Sequence, residues 1–141
     1  MKRALVIGAS GGIGTAISAE LARKGYDVTG LSRSRDGLDV TNDASVEVAL
    51  GKLEGPFEII FVATGALEPG GHAPEKAVRE VSVEAMEAAF RVNAVGPMLV
   101  LKHSLRLLPK DTPSVFAALS ARVGSIGDNG IGGWHSYRAS K

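Results

Sequence analysis

The chain has 141 residues, a formal net charge of +1 and no cysteine. That length fits one domain with a real core, and the near-neutral balance offers no field for nucleic acid or an anionic membrane. Without cysteine there is no disulfide framework, no thiolate chemistry and no Cys-based zinc site, and His72, His103 and His135 are scattered without ligand spacing, so no metal is expected.

In chain order, the apolar run Ala4-Leu5-Val6-Ile7 reads as a buried strand. It is too short for a signal-peptide core, and no later run reaches membrane-spanning length, so a cytoplasmic location is expected. The turn Gly8-Ala9-Ser10-Gly11-Gly12-Ile13-Gly14 follows, and then a helix with apolar positions at Ile13, Ala16, Ile17 and Leu21, stopped at Gly25. Glycines let a backbone approach a pyrophosphate closely, and a helix N-terminus offers free N–H groups and a positive dipole end. The glycines are spaced G-x-x-x-G-x-G at 8, 12 and 14, with Ser10 where G-x-G-x-x-G has its second glycine. The alternative is a purely structural turn in an α/β protein without a nucleotide.

Val28 to Leu31 reads as a second strand, and Leu38-Asp39-Val40 as a short third at the sheet edge with no helix before it. Asn42 or Asp43 caps a helix ending at Gly55-Pro56. Phe57 to Ala63 is a central buried strand, residues 66–81 are a Gly/Pro-rich excursion, and Ser82 caps the next helix. Gly96-Pro97 is expected to break it, with a further helix from Met98 to Leu108 that is apolar on more than one face. Ser114 to Leu119 is the last strand. Such alternation implies an α/β, Rossmann-like, doubly wound parallel sheet with ligands at the strands' C-terminal ends.

Two polar features stand out. After the second strand comes Ser32-Arg33, where an acid would accept from a ribose diol; a guanidinium instead matches a 2′-phosphate in charge and shape. NADP is therefore the expected coenzyme, with NAD left open and a plain basic loop as the other reading. The chain's last residues, Tyr137-Arg138-Ala139-Ser140-Lys141, spell Y-x-x-x-K. On a helix this sets an ammonium one turn from a phenol, favouring the phenolate and so a proton donor suited to carbonyl/alcohol chemistry. Read alone, the spacing also fits a solvated helix face.

Together these segments resemble the short-chain dehydrogenase/reductase superfamily over the whole chain. The turn 8–14 looks like its coenzyme motif, so the resemblance implies coenzyme contacts from Gly8, Ser10, Gly12, Ile13 and Gly14, joined by Ser32 and Arg33. Leu38-Asp39-Val40-Thr41 resembles its adenine-contacting D-V-T segment, implicating Asp39 and Val40. Ala63-Thr64-Gly65 stands where the family has N-A-G, keeping the glycine but not the asparagine, and implicates Ala63 and Gly65. Gly11 takes a place where NADP-preferring relatives often carry a lysine or arginine. The segments around Asn93 and Ser120, with Tyr137 and Lys141, match the catalytic tetrad, and Asn93, Tyr137 and Lys141 are also implied coenzyme contacts. The wording around Ser120 and from Trp134 to Lys141 is closest to C-factor/sniffer-like carbonyl reductases.

By that resemblance Tyr137 donates the proton, Ser120 holds the substrate oxygen, Lys141 tunes the tyrosine and binds the ribose, and Asn93 holds a water. Taken singly, Ser120 could simply end a strand and Asn93 a helix. Asp27 mimics a ribose-binding acid but begins its strand, and is expected in solvent. The resemblance also implies a small carbonyl or alcohol substrate, a homodimer or homotetramer, and further strands and helices beyond Lys141. Residues 1–141 then form a single NAD(P)-binding Rossmann domain, incomplete at its C-terminus. Two readings stand: an NADP-dependent oxidoreductase, or a catalytically inactive nucleotide-binding or interaction module.

Overall fold

The computed structural model describes residues 1–141. Strand β1 (Arg3–Ile7) leads through helix α1 (Gly12–Arg23) to β2 (Asp27–Leu31). The short α2 (Arg33–Asp36) and α3 (Asp43–Gly51) precede β3 (Ile59–Val62). Next come α4 (Val83–Phe90), a π-helical turn (Arg91–Val95), α5 (Gly96–Ser104), β4 (Val115–Ala118) and α6 (His135–Ser140). The four strands are all parallel in the order β2-β1-β3-β4. From β1 the chain moves one way to β2 and then back past β1 to β3. Right-handed crossovers therefore put α1 on one face and α3 with α5 on the other, and a crevice opens where the direction reverses.

The core follows from the alternation of a strand. Leu5 pairs with Ile60 and Ile7 with Val62. These four belong to one cluster with Val46 and Leu50 of α3, Val100 of α5, Phe57 and Leu107. Ala4 and Val6 are also fully buried, so β1 is covered on both faces. Burying one such side chain contributes about 1.5–3 kcal/mol. Exposed ion pairs such as Lys102–Asp43 contribute at most about 1 kcal/mol. The sheet's sandwich of apolar side chains, not its charges, holds the fold.

Three expectations are corrected. Leu38-Asp39-Val40 is no strand: Leu38 and Val40 are buried as a loop in the core cluster, and a helix, α2, does precede them. Val40 rests against the start of α5, where a Cβ on Gly96 would lie 2.9 Å from Val40 Cγ2. Gly96-Pro97 does not break the helix. The π turn widens the preceding turn and α4 runs through it into α5, so the N–H that proline lacks is missing next to an already irregular ladder. The glycine is there for close packing. The predicted helix to Leu108 ends at Ser104, followed by a 3-10 turn over Leu105–Leu107. Asp27 is exposed at the start of β2, 3.8 Å from the Arg3 guanidinium, as expected.

The glycine turn is shaped by two close approaches. Gly8 has φ +82, a left-handed conformation that suits glycine. A Cβ on Gly14 would lie 2.0 Å from the Gly8 carbonyl oxygen, whereas one on Gly12 would meet nothing within 4 Å. Gly14→Ala should therefore cost at least about 3 kcal/mol, the upper end of ordinary overpacking. Gly12→Ala should leave stability unchanged or raise it by up to about 1 kcal/mol. Urea unfolding of both variants checks this; equal effects would show that the turn is not the tight contact described.

Candidate active site

The crevice is a cleft of about 490 Å³ at the carboxyl ends of β1, β2 and β3. Its lining includes Gly8, Ser10, Ser32, Arg33, Asp39, Val40, Ala63 and Gly65, so most of the expected coenzyme residues converge there. Gly12, Ile13 and Gly14 form the adjoining first turn of α1. No side chain caps that helix and its first turn holds no acid, so its N–H groups are left for an anion. A bare glycine backbone, an uncapped helix start and a nearby arginine fit a dinucleotide. Ile7, Leu38, Thr41, Thr64, Ala66, Glu68, Pro69, Gly70 and Val92 also line the cleft, and sequence reasoning had not assigned them. All but Glu68, Pro69 and Gly70 lie beside a predicted residue; those three belong to the irregular excursion, where no period marks a site.

At the second-strand end, Ser32 is 1% exposed and caps α2, accepting from Arg35 N at 3.2 Å while its own N–H donates to Asp36. This folds the chain back so that Arg33 faces the cleft. Asp39 accepts from the Thr41 hydroxyl at 2.7 Å and the Thr41 N–H at 2.9 Å. These bonds, with a smaller contribution from the Arg33 charge, hold its carboxyl below the usual aspartate range.

Beyond the coenzyme end, Asn93 is buried inside the π turn. It accepts from Ala66 N at 2.9 Å and donates to Ala66 O at 3.0 Å and Ser140 Oγ at 2.9 Å. It thus clips the loop after β3 to helix α6. Lys141 Nζ lies 5.9 Å from the centre of the Tyr137 ring and donates to Leu119 O at 3.1 Å. Burial pushes the Lys141 ammonium below its ordinary range. Gly65 sits beside both groups, since a Cβ there would lie 3.1 Å from Lys141 Nζ and 3.4 Å from Asn93 Oδ1. The exposed Ser120 donates its hydroxyl to the Lys141 carbonyl at 2.9 Å. All four expected catalytic residues therefore meet around α6 and the ends of β3 and β4. Tyr137 also packs edge-on to Trp134, ring centres 6.3 Å apart.

A glycine turn, a cleft at the reversal of the sheet and a Y-x-x-x-K helix beside it define a short-chain dehydrogenase/reductase. Residues 4–124 match the NAD dependent epimerase/dehydratase family, and the chain belongs to that family. Among curated relatives it is 30% identical over 156 residues to the 1-hydroxy-2-glutathionyl-2-methyl-3-butene dehydrogenase of Rhodococcus sp. (strain AD45), covering 100% of this chain and 66% of the relative. It is 28% identical to the 3-oxoacyl-(acyl-carrier-protein) reductase FabG of Escherichia coli (strain K12), covering 99% of this chain and 62% of that protein. A solved short-chain dehydrogenase/reductase from Burkholderia multivorans with bound NADP superposes with a TM-score of 0.86 at 29% identity, covering 100% of this chain and 68% of the other. The chain thus spans about two thirds of the length of the relatives it matches. No helix is long and apolar enough to cross a membrane.

The Asp39 geometry fixes a pH dependence. A carboxyl held below its unfolded pKa of about 3.9 contributes stability that is present above that value and lost as pH falls through the folded one. Thr41→Val removes the hydroxyl donor, so the variant should be less stable than the parent at about pH 7 and nearly equal to it at about pH 2. Urea unfolding at both values measures the gap; a gap of the same size at both would mean that Thr41 does not act through the carboxylate.

Proposed function

We propose that the protein carrying this chain is an NADP-dependent oxidoreductase interconverting a small carbonyl compound and its alcohol, with residues 1–141 as its NAD(P)-binding Rossmann domain. The observation that carries the reading is the Tyr137–Lys141 pair at 5.9 Å, beside Gly65 at the mouth of a cleft suited to a dinucleotide. When bound, the nicotinamide supplies the hydride. Tyr137 gives its phenolic proton to the carbonyl oxygen as the alcohol forms. Ser120 holds that oxygen, exchanging its bond to the Lys141 carbonyl for one to substrate. Lys141, whose ammonium stands 5.9 Å from the centre of the Tyr137 ring, passes protons inward and contacts the ribose. Asn93 keeps the loop after β3 against α6 and supports a water path to Lys141.

NADP is favoured over NAD by Arg33 at the cleft and the absence of an acid at the end of β2. A carbonyl-reductase substrate range follows from the wording around Ser120 and Trp134 to Lys141. The reading carries a cytoplasmic location, since it draws on the cell's nicotinamide pool. A homodimer or homotetramer is supported by apolar side chains left in solvent: Met98 and Leu105 on and after α5, and Met86 and Phe90 on α4. Light scattering at micromolar concentration tests this, and a monodisperse monomer would count against it.

Turnover is tested in the complete protein by NADPH consumption with a panel of aldehydes and ketones; binding without turnover would favour a non-catalytic nucleotide-binding module. Tyr137→Phe should keep NADPH binding but lower turnover by at least about 10²–10⁴-fold, the loss typical of a positioned general acid. Near-normal turnover would remove Tyr137 from the chemistry. Arg33→Ala should weaken NADPH binding far more than NADH binding, and fluorescence titration showing equal losses would overturn the NADP assignment.

A further inference from the structure

Helix α6, which carries Tyr137, turns serines rather than apolar side chains to the interior. Ser136 and Ser140, one turn apart, are both buried. Ser140 meets Asn93, a residue already placed in the site. Ser136 meets Glu75, an acid 3% exposed in the irregular excursion, which the reaction described above does not use. Glu75 Oε2 accepts from Ser136 N at 3.1 Å, and Oε1 accepts from the Ser136 hydroxyl. The Glu75 carbonyl accepts from Trp134 N at 2.6 Å. Its neighbours are pinned too, Lys76 N and Ala77 N donating to Glu80 Oε2 at 2.9 and 2.7 Å.

Those bonds replace a cap that α6 lacks. Its N-cap residue, Trp134, is left-handed at φ 54 and offers no side-chain bond. Gly133 before it, at φ +68, passes so near Glu75 that a Cβ would lie 3.1 Å from the Glu75 carbonyl oxygen. Burial pushes the Glu75 carboxyl up, but the hydroxyl and N–H of Ser136 outweigh it and hold the group ionised, below the ordinary glutamate range. Apolar packing would tolerate a small rotation of the helix start. Directional bonds to a buried carboxylate tolerate much less, and Tyr137 is the residue next to Ser136.

We propose that Glu75 is a positioning residue for the reaction: its carboxylate fixes the rotation of α6 and so aims the Tyr137 hydroxyl. The inference rests on Tyr137 being the proton donor. Glu75 does not line the coenzyme cleft, so its effect should fall on turnover more than on coenzyme affinity, which it reaches only through Lys141 at the end of α6.

The test uses the complete protein, NADPH and the best substrate from the aldehyde and ketone panel. Glu75→Ala should lower kcat by at least about tenfold, within the loss that a misplacement of about 1 Å can cause. NADPH affinity should fall by a smaller factor than kcat. Glu75→Gln should restore most of kcat, because its carbonyl accepts from Ser136 N while its amide donates to the hydroxyl. In a Tyr137→Phe background Glu75→Ala should cost nothing further, since groups that act as a unit are non-additive. An undiminished kcat, or an equal loss in both backgrounds, would overturn the proposal. Trp134, with any tryptophan beyond Lys141 replaced by phenylalanine, gives a readout independent of activity. Its emission should shift to the red in Glu75→Ala and return in Glu75→Gln, and unchanged emission would contradict release of the helix start. If Glu75→Ala does not fold, Ser136→Ala takes its place in every comparison. If Tyr137→Phe itself keeps turnover, the functional reading falls and this inference falls with it; if only Tyr137→Phe is impaired, this inference alone fails.

Discussion

The approach of Gly14 to the Gly8 carbonyl sets the geometry on which the cleft depends. With a Cβ placed only 2.0 Å from that oxygen, no other residue lets α1 start so close to the end of β1. The same turn brings Gly8 against the loop after β3, where a Cβ would meet Thr64 Cγ2 at 3.0 Å and the Ala63 carbonyl carbon at 3.2 Å. Two adjacent parallel strands thus end with their backbones in contact, and the helix start points across both. A dinucleotide cradle is a consequence of this close packing: removing side chains to let the backbones meet also bares the N–H groups that an anion needs.

The two halves of the site are held by different forces. The cleft rests on an apolar core, where Ala4 to Ile7 of β1 are fully buried and α3 and α5 cover one face. The tyrosine end is held by polar bonds: Asn93 to Ala66 and Ser140, Glu75 to Ser136, and Arg138 to the carbonyls of Val123, Gly132 and Gly133. Leaving one such buried partner unsatisfied costs about 1–3 kcal/mol, so the set resists piecemeal change. Apolar burial supplies stability without direction, and hydrogen bonds supply direction at little net gain. The glycine turn rests on the first; the orientation of α6 rests on the second.

How far the sequence could be read follows the same division. The four observed strands, the glycine turn and the helix caps at Asn42 (or Asp43) and Ser82 were legible because each is a local pattern, and Ser45 N donating to Asn42 Oδ1 and Ala85 N donating to Ser82 Oγ are the bonds that capping predicts. Leu38 and Val40 were misread because alternating apolar residues report burial, and burial here comes from joining the core cluster as a loop, Val40 against Gly96 of α5, and not from pairing with a neighbouring strand. Gly96-Pro97 looked like a stop because nothing local announces a π turn. Glu75 was invisible for a plainer reason: its partner is 61 residues away, and an acid in a Gly/Pro-rich stretch reads as solvated.

The π turn ties these threads together. A regular α-helix through residues 91–95 would rotate Asn93 relative to α4 and α5, and one face could not then serve both α6 and the loop after β3. Widening the turn by one residue lets α4 keep its packing on α6 while α5 keeps Val100 in the core against the sheet. Asn93 is left between them, buried at 6% exposure, with its amide reaching Ala66 on one side and Ser140 on the other. An irregularity of this kind weakens a helix and persists only where the surrounding contacts demand it. Here the demand is visible: the turn is where the apolar scaffold around β1 is joined to the polar bonds that hold α6.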